Sequence, residues 1–261
     1  MKISLVVAVY KNTKALNLIF EALESQSNKN FECIVAEDDC DPEMKTCVDN
    51  AKEKYSFSIT HVKQKADDGF RKCQILNQAI ILASGEFLVF IDGDCIPHKH
   101  FIRTYYNKAD KERVFFGRRV MLGEKLTKKL YSNLNISLLS KFRLLFSDST
   151  HTKYLFKLPF VGNASKTGIW GCNWGVAKSI LVNLNGFDED YILPGIGEDT
   201  DIEWRLKAQG IAFVSVRYEA IVFHLHHTVH YGSSEVNINV ELMNKKKAAG
   251  KHFCENGIVK Y

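Results

Sequence analysis

Apolar positions fall in two alternating rhythms along the first hundred residues. Ile3 to Val9 is an unbroken β-branched and apolar run, the pattern of a strand buried on both faces. Asn12 or Thr13 can cap a helix in which Leu16, Ile19, Phe20 and Leu23 share one face. Phe31 to Ala36 predicts a second strand, Glu43 to Lys54 a helix, and the alternation from Phe57 to Val62 a third strand. Ile75, Leu76, Ala79, Ile80 and Ala83 mark another amphipathic helix, closed by Ser84-Gly85. Phe87 to Ile91 is then a fourth buried strand. Strand and helix in turn predict an α/β fold around a mostly parallel sheet. Ligands of such sheets bind beyond the carboxyl ends of the strands. Asp38 and the Asp92/Asp94 pair both stand at such ends, which points to one shared site.

The rhythm loosens after Phe101. Val114 to Phe116 predicts a short strand. Arg118 to Lys166 is basic and apolar, with Lys128, Lys129, Lys141, Arg143, Lys153 and Lys157 between. It reads equally as a peripheral membrane contact or as a variable loop with a solvated basic face. Order returns from Gly168 to Gly175. A helix follows over Thr200 to Gln209, then strands near Ala212 to Val216 and Ile221 to Phe223, and an exposed helical tail holding Lys245-Lys246-Lys247.

The chemistry sits at the breaks in this pattern. In "FLVFIDGDC" two carboxylates one glycine apart end a buried strand, where Gly93 lets the backbone bend and both aspartates can face one hard cation. A bare Asp-Gly turn is the plain alternative, and the buried strand ahead of it favours the metal. In "GIGEDTDIEWRL", Thr200 and Glu203 match a capping box, which also accounts for Asp201. Glu198 and Asp199 then lie before the cap in a glycine-flanked loop, free to act as a general base. "VFHLHHTVH" offers His224, His226, His227 and His230; strand alternation puts His224 and His226 on one face, as candidate imidazole ligands. In "ADDGFRK", Asp67 and Asp68 read as helix caps and Arg71 as a phosphate contact.

Composition narrows the class. The chain has 261 residues, 46% apolar and 25% charged, as soluble globular proteins do. A single domain over 1–261 is expected, in three stretches: 1–100, 101–230 and a helical tail over 231–261. Lys2 and the short apolar run after it do not make a signal peptide, so a cytoplasmic chain is expected. Seven cysteines without a C-x-x-C spacing read as reduced thiols. The net charge of +5 suits an anionic partner, but no nucleic-acid motif accompanies it, and no nucleic acid is expected as a partner. A nucleotidyltransferase would need a Gly-rich phosphate loop after the first strand, and "VVAVYKNTKAL" has no glycine. A non-catalytic sugar- or nucleotide-binding module would need neither Asp94 nor Asp199.

Taken with "ISLVVAVYKN", "ECIVAEDDCD", "DDGFRKCQILNQAI", "GIWGCNWGVAKSILVNLNGFDED" and "VFHLHH", these stretches resemble family-two glycosyltransferases of the GT-A fold. The later pieces are similar to the galactosyltransferase-like region of bacterial chondroitin-type polymerases. The resemblance implies an inverting transfer from a UDP-sugar to a glycan or lipid-linked acceptor, with Mn²⁺ or Mg²⁺ as cofactor and a role in surface polysaccharide synthesis. It assigns the uracil to Ala8, Tyr10 and Asp38, although the family's Asp-Asp-Gly-Ser is here Glu37-Asp38-Asp39-Cys40. It assigns nucleotide contacts to Asp68 and Arg71, the ribose side of the metal motif to Asp92-Gly93, and direct metal ligation to Asp94. His224 completes the metal site, with His226 in reserve. Asp199 is the base with Glu198 beside it, and Trp170, Gly171 and Asn173 shape the sugar and acceptor pocket.

Overall fold

The computed structural model describes residues 1–156, 168–228 and 232–260; Lys157, Lys166 and His230 lie outside them. The first half follows the predicted alternation: β1 (Ile3–Val9), α1 (Thr13–Glu24), β2 (Phe31–Glu37), α2 (Pro42–Lys54), β3 (Ser58–Lys63), α3 (Lys72–Leu82) and β4 (Phe87–Asp92). The Asn12 side chain caps α1 by accepting from the Ala15 N–H at 3.0 Å. The rest adds β5 (Cys95–Pro97), α4 (Phe101–Lys108), β6 (Arg113–Phe116), β7 (Arg118–Met121), α5 (Glu124–Asn133), α6 (Lys141–Leu145), β8 (Trp174–Ala177), α7 (Lys178–Asn183), α8 (Glu198–Ala208), β9 (Ala212–Ser215), β10 (Ile221–His224) and α9 (Ser233–Ala248).

The central sheet has the order β3-β2-β1-β4-β8-β6-β9. All its pairings are parallel except those of β8, which runs against both β4 and β6. Position explains composition. β1 and β4 are central and almost wholly apolar, whereas the edge strand β3 alternates buried and exposed positions. Phe90 stacks on Trp174 at 4.6 Å and meets Phe187 edge-on at 5.6 Å, pinning β4 to the antiparallel strand. Such pairs add roughly 0.5–1.5 kcal/mol each beyond area burial.

A second sheet, β5-β10-β7, was not legible in the periodicity, and it takes the strand at Ile221–His224 that the α/β pattern would place in the main sheet. β4 passes into β5 through Asp92-Gly93-Asp94, so that triplet is the handover between the sheets. A Cβ on Gly93 would lie 2.8 Å from the Ala8 carbonyl oxygen and 2.9 Å from Val9 Cγ1. The glycine is therefore required by the close passage of β1, and its φ is not left-handed.

Two expectations at helix starts are corrected. No capping box forms at Thr200: α8 begins at Glu198 with Gly197 before it, so Glu198 and Asp199 are its first-turn carboxylates. Glu203 instead accepts the Ile169 N–H at 2.7 Å and pairs with Lys207. Asp67 and Asp68 cap nothing, since α3 starts at Lys72; Asp67 binds Lys11 and Tyr10, and Asp68 pairs loosely with Arg71 at 3.5 Å.

Asp201 does more than complement a helix end. Its carboxylate takes the Arg205 Nε at 2.7 Å, the Tyr191 hydroxyl at 3.0 Å and the Trp204 Nε1 at 3.0 Å. Arg205 spends its other nitrogens on the Leu184 and Gly186 carbonyls, at 3.1 and 2.9 Å. Both ions are buried and fully bonded, and removing one strands the other. Asp201→Ala is expected to lower unfolding free energy by about 3–5 kcal/mol in urea denaturation. Asp49→Ala, which breaks only exposed pairs with Lys45 and Lys52, should change it by less than about 1 kcal/mol.

Candidate active site

The carboxyl ends of β2, β1 and β4 lie side by side and open into a cleft of about 720 Å³. Ala8, Tyr10, Asp38, Asp92, Gly93 and Asp94 all line it, so the two acidic clusters do share one site. Asp38 accepts the Arg71 N–H at 3.0 Å and the Gln64 amide at 3.3 Å. Burial outweighs these bonds and pushes its carboxyl up to about 6. Arg71 reaches back to the Phe70 carbonyl at 2.9 Å, and the highly exposed Asp68 stays outside the cleft lining.

Lys72, next along, enters the site in a way the sequence reading missed. Its ammonium bridges Asp92 Oδ1 at 2.8 Å and Glu198 Oε1 at 2.9 Å. Burial alone would lower the ammonium's pKa; the two carboxylates override it and hold the group charged, well above its usual range. The available signal was position: Lys72 is the first residue of a helix that starts at the same sheet edge. Gly171 faces this ion triad, and a Cβ there would sit 3.6 Å from both Glu198 Oε1 and Lys72 Nζ.

Asp199 lies alongside, with Oδ2 accepting the Gly171 N–H at 3.1 Å and Oδ1 the Thr200 N–H at 2.7 Å. Burial first, and then the charge of Glu198, push its carboxyl up to about 6 despite those bonds. A carboxylate so placed is oriented, largely dry and proton-hungry near neutral pH.

Pairing of β10 with β5 sets His224 opposite Cys95, one residue from Asp94. His224 Nε2 lies 3.2 Å and His227 Nε2 2.9 Å from Asp94 Oδ2. His226 does not join them: β10 ends at His224, the two-residue alternation stops there, and the chain turns His227 inward instead. The backbone of His226 donates to Thr127 Oγ1 at 3.0 Å. Burial would raise Asp94, but its bonds to the two imidazoles hold it well below the carboxylate range. Asp94 in turn raises His227 to about 9. The donor atoms of Asp94, His224 and His227 lie within 4.8 Å of one another. A carboxylate with two imidazoles fits a divalent first-row ion, and suits Mn²⁺ better than the all-oxygen preference of Mg²⁺. His227 Nδ1 contacts the Thr228 carbonyl at 2.8 Å, which fixes the ring and leaves Nε2 for an ion. Asp92, Cys95 and Cys172 also converge, but one Asp92 oxygen is held by Lys72 and burial keeps the Cys95 thiol protonated.

Trp170 is half exposed, stacked on Arg118 at 4.5 Å. Asn173 is fully buried and is not among the residues that line the nucleotide cleft. Its Oδ1 accepts the Tyr105 hydroxyl at 2.7 Å, and its amide donates to the Arg118 and Ala220 carbonyls, tying β8 to the second sheet.

The fold recurs in solved glycosyltransferases. The mannosyltransferase PcManGT from Pyrobaculum calidifontis, in complex with GDP-Man and Mn²⁺, superposes with a TM-score of 0.63 at 14% identity over 95% of this chain and 64% of its own. S. aureus TarS 1–349 in complex with UDP gives 0.62 at 15% identity over 94% and 65%. The same TarS fragment with UDP-GlcNAc gives 0.54 at 14% over 90% and 61%. This chain thus spans under two thirds of those chains. No curated protein matches it in sequence. A family profile described as "Glycosyl transferase family 2" matches residues 4–184. With a GT-A fold and a profile match over most of its length, the chain belongs to glycosyl transferase family 2.

Proposed function

We propose that the chain moves a hexose or N-acetylhexosamine from a UDP-sugar to a hydroxyl of a glycan or lipid-linked acceptor, with inversion and with a divalent ion, in the building of surface polysaccharide. One observation carries this reading: the half-buried, oriented Asp199 carboxylate lines a small recess with Ala8, Lys72 and Asp92, and those three residues also line the cleft that holds Asp94 and His227. Asp199 takes the acceptor proton as the hydroxyl attacks the anomeric carbon from the face opposite the diphosphate. Asp94, His224 and His227 would hold the ion, which supplies positive charge to the departing diphosphate. Lys72 keeps Glu198 and Asp92 neutralised, so that Asp199 is the carboxylate beside the acceptor that is free to change protonation. Asp38 offers a carboxylate to the uracil ring N–H at the far end of the cleft.

Membrane contact is part of the same proposal. Between residues 124 and 156, six Lys or Arg stand against two Asp or Glu, which is +4 of the chain's +5. Phe142 and Phe146, exposed by 73% and 78% with rings 4.9 Å apart, project from this segment beside Lys141 and Arg143. Arg118 is buried and takes no part in that face. Basic charge around exposed aromatics is the composition of an interfacial anchor, at about 1 kcal/mol per cation near an anionic surface. Among the described residues no helix is long and apolar enough to cross a membrane.

Calorimetric titration of UDP should show binding that needs Mn²⁺ and disappears in Asp94→Ala. His227→Ala should weaken it at least tenfold while His226→Ala leaves it unchanged, and a preference for GDP would move the donor assignment. Asp199→Asn should cut kcat by about 10²–10⁴ with UDP affinity intact. In the wild type kcat/KM should fall tenfold per pH unit below about 6, because the base must be unprotonated to act, and level off above it. Sedimentation with phosphatidylglycerol vesicles should retain the protein and phosphatidylcholine vesicles should not, with retention lost in the double variant Phe142→Ser, Phe146→Ser.

A further inference from the structure

Beside the carboxylates of the site stand two guanidinium groups that, among the described residues, make no ion pair, although Asp92 and Asp94 act on Arg119 through space. Arg118, 3% exposed, lies between the rings of Phe116 at 5.1 Å and Trp170 at 4.5 Å. Its Nη1 donates to the adjacent Gly117 carbonyl, and its Nη2 is buried without a partner. Arg119 lies 5.5 Å from the same indole, its Nε is buried without a partner, and among the described residues its guanidinium makes no hydrogen bond or ion pair. Stacking satisfies the face of a guanidinium and leaves the donors along its edge unspent. A buried cation is ordinarily paired, so the buried Arg118 beside a half-buried Arg119, each with an unpartnered buried nitrogen, calls for a ligand. Carboxylates near enough to serve are committed elsewhere. Glu203 holds Ile169 N–H and Lys207, Asp92 holds Lys72, and Asp94 holds the two histidines.

The position of this pair decides what the ligand belongs to. Neither arginine nor Trp170 lines the nucleotide cleft. Trp170 directly precedes Gly171, whose N–H orients Asp199, so the stack stands next to the contact that holds the base. Trp170 keeps 39% of its surface open, enough to offer an indole face to a sugar ring.

We infer that Arg118, Arg119 and Trp170 form an acceptor subsite for an acidic sugar, in which Trp170 carries the ring and Arg119 takes its oxyanion edge-on. Arg118, closed off behind the indole, adds positive field and holds Trp170 in place. Carboxylate and phosphate oxygens share the required chemistry, so a uronic acid and a phosphorylated sugar or polyol are the two sources. The acceptor role rests on the proposed transfer reaction, whereas anion binding here does not, and binding without turnover separates the two.

The experiment is titration of the whole chain with methyl glucuronide, glycerol 3-phosphate and neutral methyl glucoside, followed by tryptophan emission and calorimetry. Either anion should bind saturably and the glucoside at least tenfold more weakly, with the emission change abolished in Trp170→Phe. A stronger response to the glucuronide assigns a uronate, and a stronger response to glycerol 3-phosphate assigns a phosphate. Arg119→Gln should weaken the anion at least tenfold, with part of that recovered in Arg119→Lys, while Mn²⁺-dependent UDP binding stays within twofold. Equal binding of glucuronide and glucoside overturns the inference, as does an Arg119→Gln variant that binds the anion as wild type does. A loss of UDP affinity in Arg119→Gln matching the loss of anion affinity would also overturn it, by placing the guanidinium in the donor site. Loss of UDP binding by the wild type would instead strike the donor reading and leave the subsite standing.

Discussion

The close passage of β1 against the turn after β4 is the constraint on which the site depends. Because no side chain fits between Gly93 and the Ala8 carbonyl, the chain leaves the central sheet there and starts a second one two residues later. Asp92 stays with the first sheet and Asp94 goes with the second. Each aspartate then meets its own partners: Lys72 at the start of α3 for Asp92, and the two histidines at and after the end of β10 for Asp94. One tight contact thus divides two similar carboxylates into different electrostatic tasks. Asp94 is held strongly anionic, and Asp92 is locked in an internal ion bridge.

The Lys72 bridge shapes the rest of the field. Glu198 and Asp199 are adjacent on the first turn of α8, where like charges repel and the helix dipole only partly compensates. An ammonium on Glu198 relieves one of them. The residual repulsion falls on Asp199, which burial also disfavours as an anion, and the combination leaves it titrating near neutrality. Two identical side chains, Asp94 in the cleft and Asp199 in the recess beside it, are pushed in opposite directions by what stands next to them.

How far this was legible follows from the reach of each signal. Local periodicity reaches about one helix turn or two strand residues, and it located β1, β2, β4 and the buried face of α1 almost to the residue. It could not show β5 and β7, which are three and four residues long and owe their existence to pairing with a distant β10. The same shortness misled the histidine register, because alternation predicts faces only while a strand lasts. At Thr200 the capping pattern was present in the letters, yet Gly197 began the helix earlier. Lys72 was overlooked beside Arg71 because the deciding fact, which of two neighbouring cations points inward, lies in the start of α3.

The tail gives the site a further dependency. Lys246 on α9 pairs with Asp188 and Asp190, and the Asn239 amide donates to the Leu193 carbonyl at 2.9 Å, both within the stretch leading to α8. The approach to Asp199 is therefore set from some fifty residues downstream. Asp199, His224, His227 and this clamp all fall after residue 184, where the family match stops. The chain is thus divided between a portion that the family profile shares and a portion after residue 184 that carries Asp199, both histidines and their clamp. Changes can accumulate in the second portion without rewriting the first.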